Sequence, residues 1–192
     1  MISKFNRKII ILISIGFLGL TYAQDSSNIK YGINGMLGGR YDNLRMCVAT
    51  DAGVKGGPFG DIQLNLKWDN VSGKSTILSI PVMRPILFGA AFKMLQFEPE
   101  ISIIFNHYRS VMLGAGLGLS LHYGPDYKSD LDNRGPDFFA TGPLISGLAG
   151  VKLGSDSKEK MLFIRILYVA LFSKEYSPGT VVGAALEYSW YF

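Results

Sequence analysis

The last stretch of the chain carries the pattern that decides the fold: residues 180–192 read TVVGAALEYSWYF. Every second residue after Thr180 is apolar or aromatic, whereas the residues between them are mostly small and include Glu187. A period of two places alternate side chains on opposite faces of a strand. The stretch therefore predicts a long strand with one apolar face and one small, mixed face.

The same alternation recurs upstream, in runs of about 11 to 14 residues. Tilted membrane strands need about 9–11 residues, whereas strands of soluble proteins average about 5–6. The row opposite the apolar residues is rich in glycine, serine and alanine, which suits the inside of a narrow barrel better than a water-facing sheet surface. The pattern predicts an all-β, closed, antiparallel up-and-down transmembrane β-barrel. A soluble periplasmic β-protein, which would also alternate, is the alternative on location.

Residues 1–23 predict a secretory signal peptide. Lys4, Arg7 and Lys8 precede an almost purely apolar run over 9–20, and Ala23 is a small residue at the expected cut. This is the order of a cleavable leader, and the run is shorter than the roughly 20 residues of a spanning helix. Residues 24–192 are then one barrel domain.

The charge balance excludes one class of function. The chain has 19 basic and 15 acidic residues, and three of the basic ones lie in the predicted leader, so the remainder carries no basic excess of note. Nucleic-acid binding would need a clustered basic face, and none is present. Cys47 is the single cysteine, so an internal disulfide is excluded and a small wall residue is the expected role, although the sequence does not show whether it is ever modified.

The final strand also carries a family resemblance, through the alternate residues Leu186, Tyr188, Trp190 and Phe192. Joined to the leader and the repeated strands, this ending resembles the closing strand of bacterial outer-membrane β-barrels, and the chain is similar to the small OmpA/OmpX-type barrels. The resemblance implies the outer membrane of a Gram-negative bacterium, contact with its lipid and lipopolysaccharide, and recognition of the last strand by the barrel-assembly machinery. Terminal aromatics at this spacing also suit an interfacial girdle.

Length and the resemblance together predict eight strands, with ten as the alternative. Both termini should be periplasmic, which requires an even number. Loops 124–137 and 173–179 should then face outside, and the turn 154–160 should face the periplasm. The least certain register lies in 75–106. The ten-strand division places strands near 31–41, 44–55, 60–69, 75–84, 86–95, 96–106, 110–123, 138–153, 160–173 and 179–192.

Several charged residues fall on rows that should face the lumen. Glu98 and Glu100 share one strand face, where paired carboxylates could perform acid–base chemistry. A buried charge must be neutralised, so the favoured interpretation is a plug-like network in which basic residues pair with them. The candidate lumen cluster comprises Lys67, Arg84, Glu98, Glu100, Arg165 and Glu187.

Two further candidates concern a hydrolase and an external site. A barrel-embedded hydrolase would require His107 or His122 to meet a serine and an acid at the lipid-facing wall. The external loop offers oxygen donors at Asp126, Asp130 and Asp132, but its spacing is not that of an EF-hand. It is a candidate surface-binding loop, and no metal or cofactor is predicted.

Three functional classes follow from these observations. The first is a barrel with a structural or surface-interaction role, which is favoured because no catalytic site stands out. The second is a narrow channel or small-ligand-binding barrel. The third is a hydrolase acting on lipid or lipopolysaccharide. The sequence identifies neither the ligand nor the oligomeric state.

Overall fold

The computed structural model describes residues 29–42, 57–69, 73–83, 95–108, 110–127, 134–154, 159–174 and 179–192. The described residues form strands throughout, and none of them belongs to a helix long and apolar enough to cross a membrane. The strands are β1 (Ile29–Asp42), β2 (Gly57–Asp69), β3 (Lys74–Met83), β4 (Leu95–Phe97), β5 (Glu100–Tyr108), β6 (Val111–Tyr127), β7 (Arg134–Leu153), β8 (Lys160–Ser173) and β9 (Gly179–Tyr191).

The strands close into a ring, and every pairing between them is antiparallel. β1 pairs with both β2 and β9, and β6 pairs with both β5 and β7, so the ring has no open end. The short β4 also pairs with β6, so β4 and β5 form one barrel strand interrupted at Glu98 and Pro99. The prediction of a closed eight-stranded antiparallel barrel is confirmed.

The ten-strand alternative is wrong for the ring that the structure describes. β1 pairs directly with β2, and β3 pairs directly with β5, so the ring closes without the strands predicted near 44–55 and 86–95. Those two segments lie outside the described residues, as do the predicted signal peptide, Cys47 and Arg84.

The connections divide the barrel into two ends. The start of β1 and the end of β9 lie at the same end as the short connections 70–73, 109–110 and 154–159, and we call it the turn end. The connections 43–56, 84–94, 128–133 and 174–178 leave from the opposite end, which we call the loop end. The two longest connections, 43–56 and 84–94, both leave from the loop end, and outer-membrane barrels typically carry their longer loops at one end.

The loop predicted over 124–137 is shorter than expected. β6 continues to Tyr127 and β7 begins at Arg134, with Gly124 opposite Phe138 and Tyr127 opposite Arg134. The polar composition of this stretch suggested a loop. The hydrogen bonds between two antiparallel strands join backbone groups, however, so a hairpin of polar residues can extend beyond the apolar part of the barrel.

The two rows of each strand face opposite sides of the wall. On β9 the row from Val182 to Trp190 is exposed, whereas the row from Val181 to Tyr191 is buried. Tyr31 and Tyr41 are outward-facing aromatic residues towards the two ends of β1, at 59% and 54% exposure. At about 3.3 Å per residue and a tilt near 40°, the ten residue steps from Tyr31 to Tyr41 rise about 25 Å, which is the height of the apolar band of a membrane barrel.

Candidate functional site

The centre of the lumen holds an ionic network built on Arg165 of β8. Its guanidinium donates to Glu187 on β9 through Nε and to Glu100 on β5 through Nη1, each over 2.5 Å. All three residues are at most 6% exposed. An ionic group taken from water is tolerated when it is paired and hydrogen-bonded, and here one cation lies between two carboxylates.

Neutral donors complete the coordination of these two carboxylates. Ser146 and Ser102 donate to Glu100 over 2.6 and 2.7 Å, and Asn34 donates to Glu187 over 2.6 Å. Because two carboxylates share one guanidinium, these hydrogen bonds disperse the remaining negative charge.

The glycine row of β6 makes room for this network. A Cβ atom at Gly116 would lie on top of the Glu100 carboxylate and within 2.6 Å of the Ser146 hydroxyl. Glycine is therefore required at this point by the close approach of the buried polar groups rather than by its own backbone angles.

A second polar cluster joins Glu98, Ser120 and His122. The Ser120 hydroxyl donates to Glu98 Oε1 over 2.6 Å and lies 2.7 Å from His122 Nε2, which is itself 3.0 Å from Glu98 Oε1. The hydrogen-bond roles of the histidine depend on its tautomer.

This cluster has the residue types of a hydrolase but not the arrangement. In a catalytic triad the acid orients one ring nitrogen while the serine contacts the other. Here Ser120 and Glu98 both contact Nε2 of His122. The hydrolase alternative would require its site at the lipid-facing wall, whereas His122 and Ser120 are fully buried inside the barrel. His122 therefore does not meet that requirement, and the side chain of His107 lies outside the described residues.

The turn end of the lumen holds a third cluster, around Glu159. Lys30 and Lys67 donate to Glu159 Oε2 over 3.0 and 2.9 Å, and Lys67 also contacts Asp69. Lys152 lies 3.6 Å from the other Glu159 oxygen. Burial alone would raise the pKa of the Glu159 carboxyl, but the bonds from the Lys67 and Lys30 ammonium groups hold that pKa below its usual value.

Two apolar layers flank the central network on β7 and β8, whereas the inward row of β2 is polar from Asp61 to Lys67. On β8 Arg165 lies between Phe163 and Leu167, and on β7 Ser146 lies between Leu144 and Leu148. The layer towards the turn end comprises Ile77, Ile104, Met112, Leu148, Met161, Phe163 and Tyr191. The layer towards the loop end comprises Met36, Phe59, Phe138, Ala140, Leu144, Leu167, Val169, Leu171, Val181 and Ala185.

The structure distributes the predicted lumen cluster over three places. Glu100, Arg165 and Glu187 meet at the centre, Glu98 pairs with His122, and Lys67 lies at the turn end. Glu98 and Glu100 were expected to pair with inward basic residues, and Glu100 pairs with Arg165 whereas Glu98 contacts His122. A role of these residues in binding stays a prediction.

Sequence reasoning missed Glu159, which it placed in a turn. Its position was nevertheless visible, since residues 159, 161, 163 and 165 continue the inward row of β8. The predicted external loop cannot be placed, because the side chain of Asp126 and the whole of Asp130 and Asp132 lie outside the described residues. Within the described part of the chain, no three histidine, cysteine, aspartate or glutamate side chains are grouped as metal ligands.

The predicted assembly strand presents its apolar row to the outside. Leu186, Tyr188, Trp190 and Phe192 are 55%, 42%, 45% and 65% exposed. The rings of Trp190 and Phe192 make an edge contact at 6.3 Å, and the Phe192 amide donates to the Tyr31 carbonyl oxygen. The outward-facing aromatic residues at the turn end, Trp190 and Phe192 on one side and Tyr31 on the other, thus meet where β9 pairs with β1. Membrane barrels carry such a belt of aromatic residues at the interface.

Comparison with known proteins supports the fold. No family model and no curated protein matches the chain. Among solved structures, the chain is similar to Ail, the attachment invasion locus protein of Yersinia pestis, with a TM-score of 0.52 and 11% identity over 86% of this chain and 100% of Ail. Neisserial surface protein A matches with a TM-score of 0.47 and 11% identity over 83% of this chain and 95% of its own. Together with the closed ring of strands, the match to Ail shows that the chain has the fold of a small eight-stranded outer-membrane β-barrel.

Proposed function

We propose that the chain is a surface-interaction barrel of the outer membrane of a Gram-negative bacterium, delivered there after cleavage near Ala23. The observation that carries the proposal is the inversion of polarity across the wall. Large apolar side chains such as Leu186 and Ile166 are more than half exposed, whereas Lys67, Glu100 and Arg165 are buried. Such a molecule is stable where its surroundings are hydrocarbon and its strands close into a ring.

The loops are then the part that meets other molecules. An eight-stranded lumen is just wide enough for side chains to fill it, and here two apolar layers flank the central ionic network. We assign the network of Glu100, Arg165 and Glu187 a structural role as a plug. Binding residues in small barrels of this kind lie on connections held by a rigid wall, so the loop containing Asp126, Asp130 and Asp132 is the proposed contact surface.

The partners follow from this placement. The outward rows would contact lipid and lipopolysaccharide, and the final strand would be recognised by the barrel-assembly machinery. Ail shares the fold and is named for attachment and invasion, which supports a role in contact with molecules outside the cell.

The first experiment is a heat-modifiability assay on purified outer membranes. Samples are run on a denaturing gel with and without boiling. We expect the unboiled protein to migrate differently from the boiled protein, because the closed ladder resists the detergent. A single unshifted band, with the protein in the soluble periplasmic fraction, would contradict the membrane proposal and support a soluble β-protein.

A second experiment tests which end faces outside. One variant carries an epitope inserted after Asp130, at the loop end, and its matched control carries the same epitope after Asp156, at the turn end. Antibody is added to intact cells and to permeabilised cells. We expect the first variant to be labelled in both and the control only after permeabilisation. The reverse pattern would contradict the proposed orientation, while leaving membrane insertion itself intact.

A further inference from the structure

The barrel wall has a place where two neighbouring strands do not pair. β3 and β5 are joined from Lys74 opposite Phe105 to Ser79 opposite Glu100, and the ladder stops there. Towards the loop end, β4 pairs with β6 alone and no ladder joins it to β3 among the residues that the structure describes. We call the boundary between Ile80–Val82 and Leu95–Phe97 the β3–β4 seam.

Two prolines account for the seam. The pair that would follow Ser79 and Glu100 joins Ile80 to Pro99, and the next one would involve Pro81. A proline has no backbone N–H and cannot donate to the ladder. Pro81 also lies at an irregularity in the pairing of β3 with β2, which displaces the edge of β3.

The two sides of the seam differ sharply in polarity. Its outer side presents Ile80, Val82 and Phe97, which are 38%, 61% and 37% exposed. Its inner side presents Gln96 and Glu98, which are buried. The seam lies at the level of Leu121 and Tyr123 on β6, near the loop end of the apolar wall.

Gln96 is the buried polar group at this boundary that has no partner. It is 7% exposed, it lies opposite His122, and neither its amide nitrogen nor its amide oxygen makes a hydrogen bond. A buried amide left without partners destabilises a fold, so native proteins rarely contain one unless a ligand, a water molecule or a function uses it.

We propose that the β3–β4 seam binds a single-chain, electrically neutral amphiphile of the surrounding membrane. Its alkyl chain lies against Ile80, Val82 and Phe97, and its head enters the wall to pair with Gln96. A carboxamide both donates and accepts, so the matching head is a hydroxyl or amide group that does the same. Glu98, the nearest buried charge, is already hydrogen-bonded to Ser120 and His122. A charged head is disfavoured because no described group at the seam would neutralise a second buried charge.

The test uses the intact barrel in micelles of lauryldimethylamine N-oxide, a detergent without a hydrogen-bond donor. The probe is 1-monododecanoylglycerol, and native mass spectrometry counts bound molecules as the probe is titrated. We expect one saturable adduct for the wild-type barrel. Methyl dodecanoate, whose head only accepts, and dodecanoate, whose head is charged, should bind at least about tenfold more weakly, since each lacks a matching hydrogen bond.

Three variants locate the site. Gln96→Leu removes both polar groups at nearly constant volume, and we expect about tenfold weaker binding with the fold retained. Val82→Trp fills the outer side of the seam and should weaken binding similarly. Val182→Trp is the matched control, because Val182 is also outward-facing and half-exposed but lies on β9. Each variant is first checked for folding by heat-modifiability.

The outcomes are distinct. Loss of binding in Gln96→Leu with retention in Val182→Trp supports binding at the β3–β4 seam. This comparison tests the proposal even if Val82→Trp does not fold. Absence of a saturable adduct, or equal binding by wild type, Gln96→Leu and Val182→Trp, overturns the proposal. Equal binding of methyl dodecanoate overturns the role of Gln96 in recognising the head. None of these results bears on whether the barrel resides in the outer membrane, which the heat-modifiability and fractionation assay decides separately.

Discussion

Arg165 is the residue on which the central lumen depends. Its guanidinium is the cation that the structure places between the buried carboxylates of Glu100 and Glu187. Removing one partner of a buried ion pair costs more than removing the whole pair, because an uncompensated charge stays behind.

We therefore expect Arg165→Met to destabilise the barrel by about 3–5 kcal/mol. The triple variant Arg165→Met, Glu100→Gln, Glu187→Gln should recover a large part of that loss, since no charge then remains. Urea unfolding in micelles, followed by the gel shift, measures both. A single variant as stable as the wild type would show that the network contributes nothing.

Glu159 gives the turn end a dependence on pH. Its pKa in the folded barrel is lowered from the ordinary value of 4.5 by the bonds from Lys67 and Lys30. A carboxyl with a lowered folded pKa stabilises the fold above its unfolded pKa, and this contribution is lost as the pH falls through the folded value. We expect the urea midpoint to fall below about pH 4.5 and the fall to be smaller in Glu159→Gln. Parallel pH profiles for the two proteins would contradict this assignment.

At the scale of single residues, the sequence predicted which side chains face the lumen but not which residues they contact there. The alternation placed Lys67, Glu100, Arg165 and Glu187 on inward rows, and all of them are buried. Their partners depend on the relative stagger of strands that are far apart in sequence, because tilt brings residues from different register positions to the same height. For that reason the pairing of Lys67 with Glu159 could not be derived.

At the scale of the element, the outward row of β8 offers a direct test of the membrane. Ile166 lies in the middle of the strand and Phe192 at the turn end, and they are 63% and 65% exposed. In hydrocarbon an arginine costs about 2–4 kcal/mol at mid-depth and about 0–1 near the interface. We expect Ile166→Arg to be destabilising in phospholipid vesicles and Phe192→Arg to be nearly neutral, although the two sites are equally exposed. If neither substitution lowered the stability of the barrel, the result would indicate that water surrounds it.

The element boundaries show where sequence reasoning succeeds. The strands predicted near 160–173 and 179–192 match β8 and β9 closely, because their alternation is uninterrupted. In the stretch 75–106 the ten-strand alternative counted a barrel strand near 86–95, and the described ring closes without it. A proline in the sequence predicts a break in the ladder of hydrogen bonds. It does not predict whether the chain continues in the same barrel strand after the break, as the chain does across Pro99.

At the scale of the molecule, the stacked layers of the lumen predict a closed barrel. An eight-stranded lumen is just wide enough for side chains to fill it, and here the ionic network and its two flanking apolar layers occupy the lumen. We expect no steady conductance from the purified protein in planar bilayers. A reproducible single-channel current that disappears on removal of the protein would contradict this expectation and favour the narrow-channel alternative.

The pairing of β1 with β9 has a consequence for how the barrel forms. Gly32 lies opposite Tyr191 and Asp42 opposite Val181, so the contacts that shut the ring join segments far apart in sequence. Loop-closure entropy opposes such contacts until the intervening hairpins have formed, and folds dominated by them are slow to form. The first strand therefore keeps one unpaired edge until the final strand has been synthesised, and an exposed strand edge promotes aggregation until the ring closes.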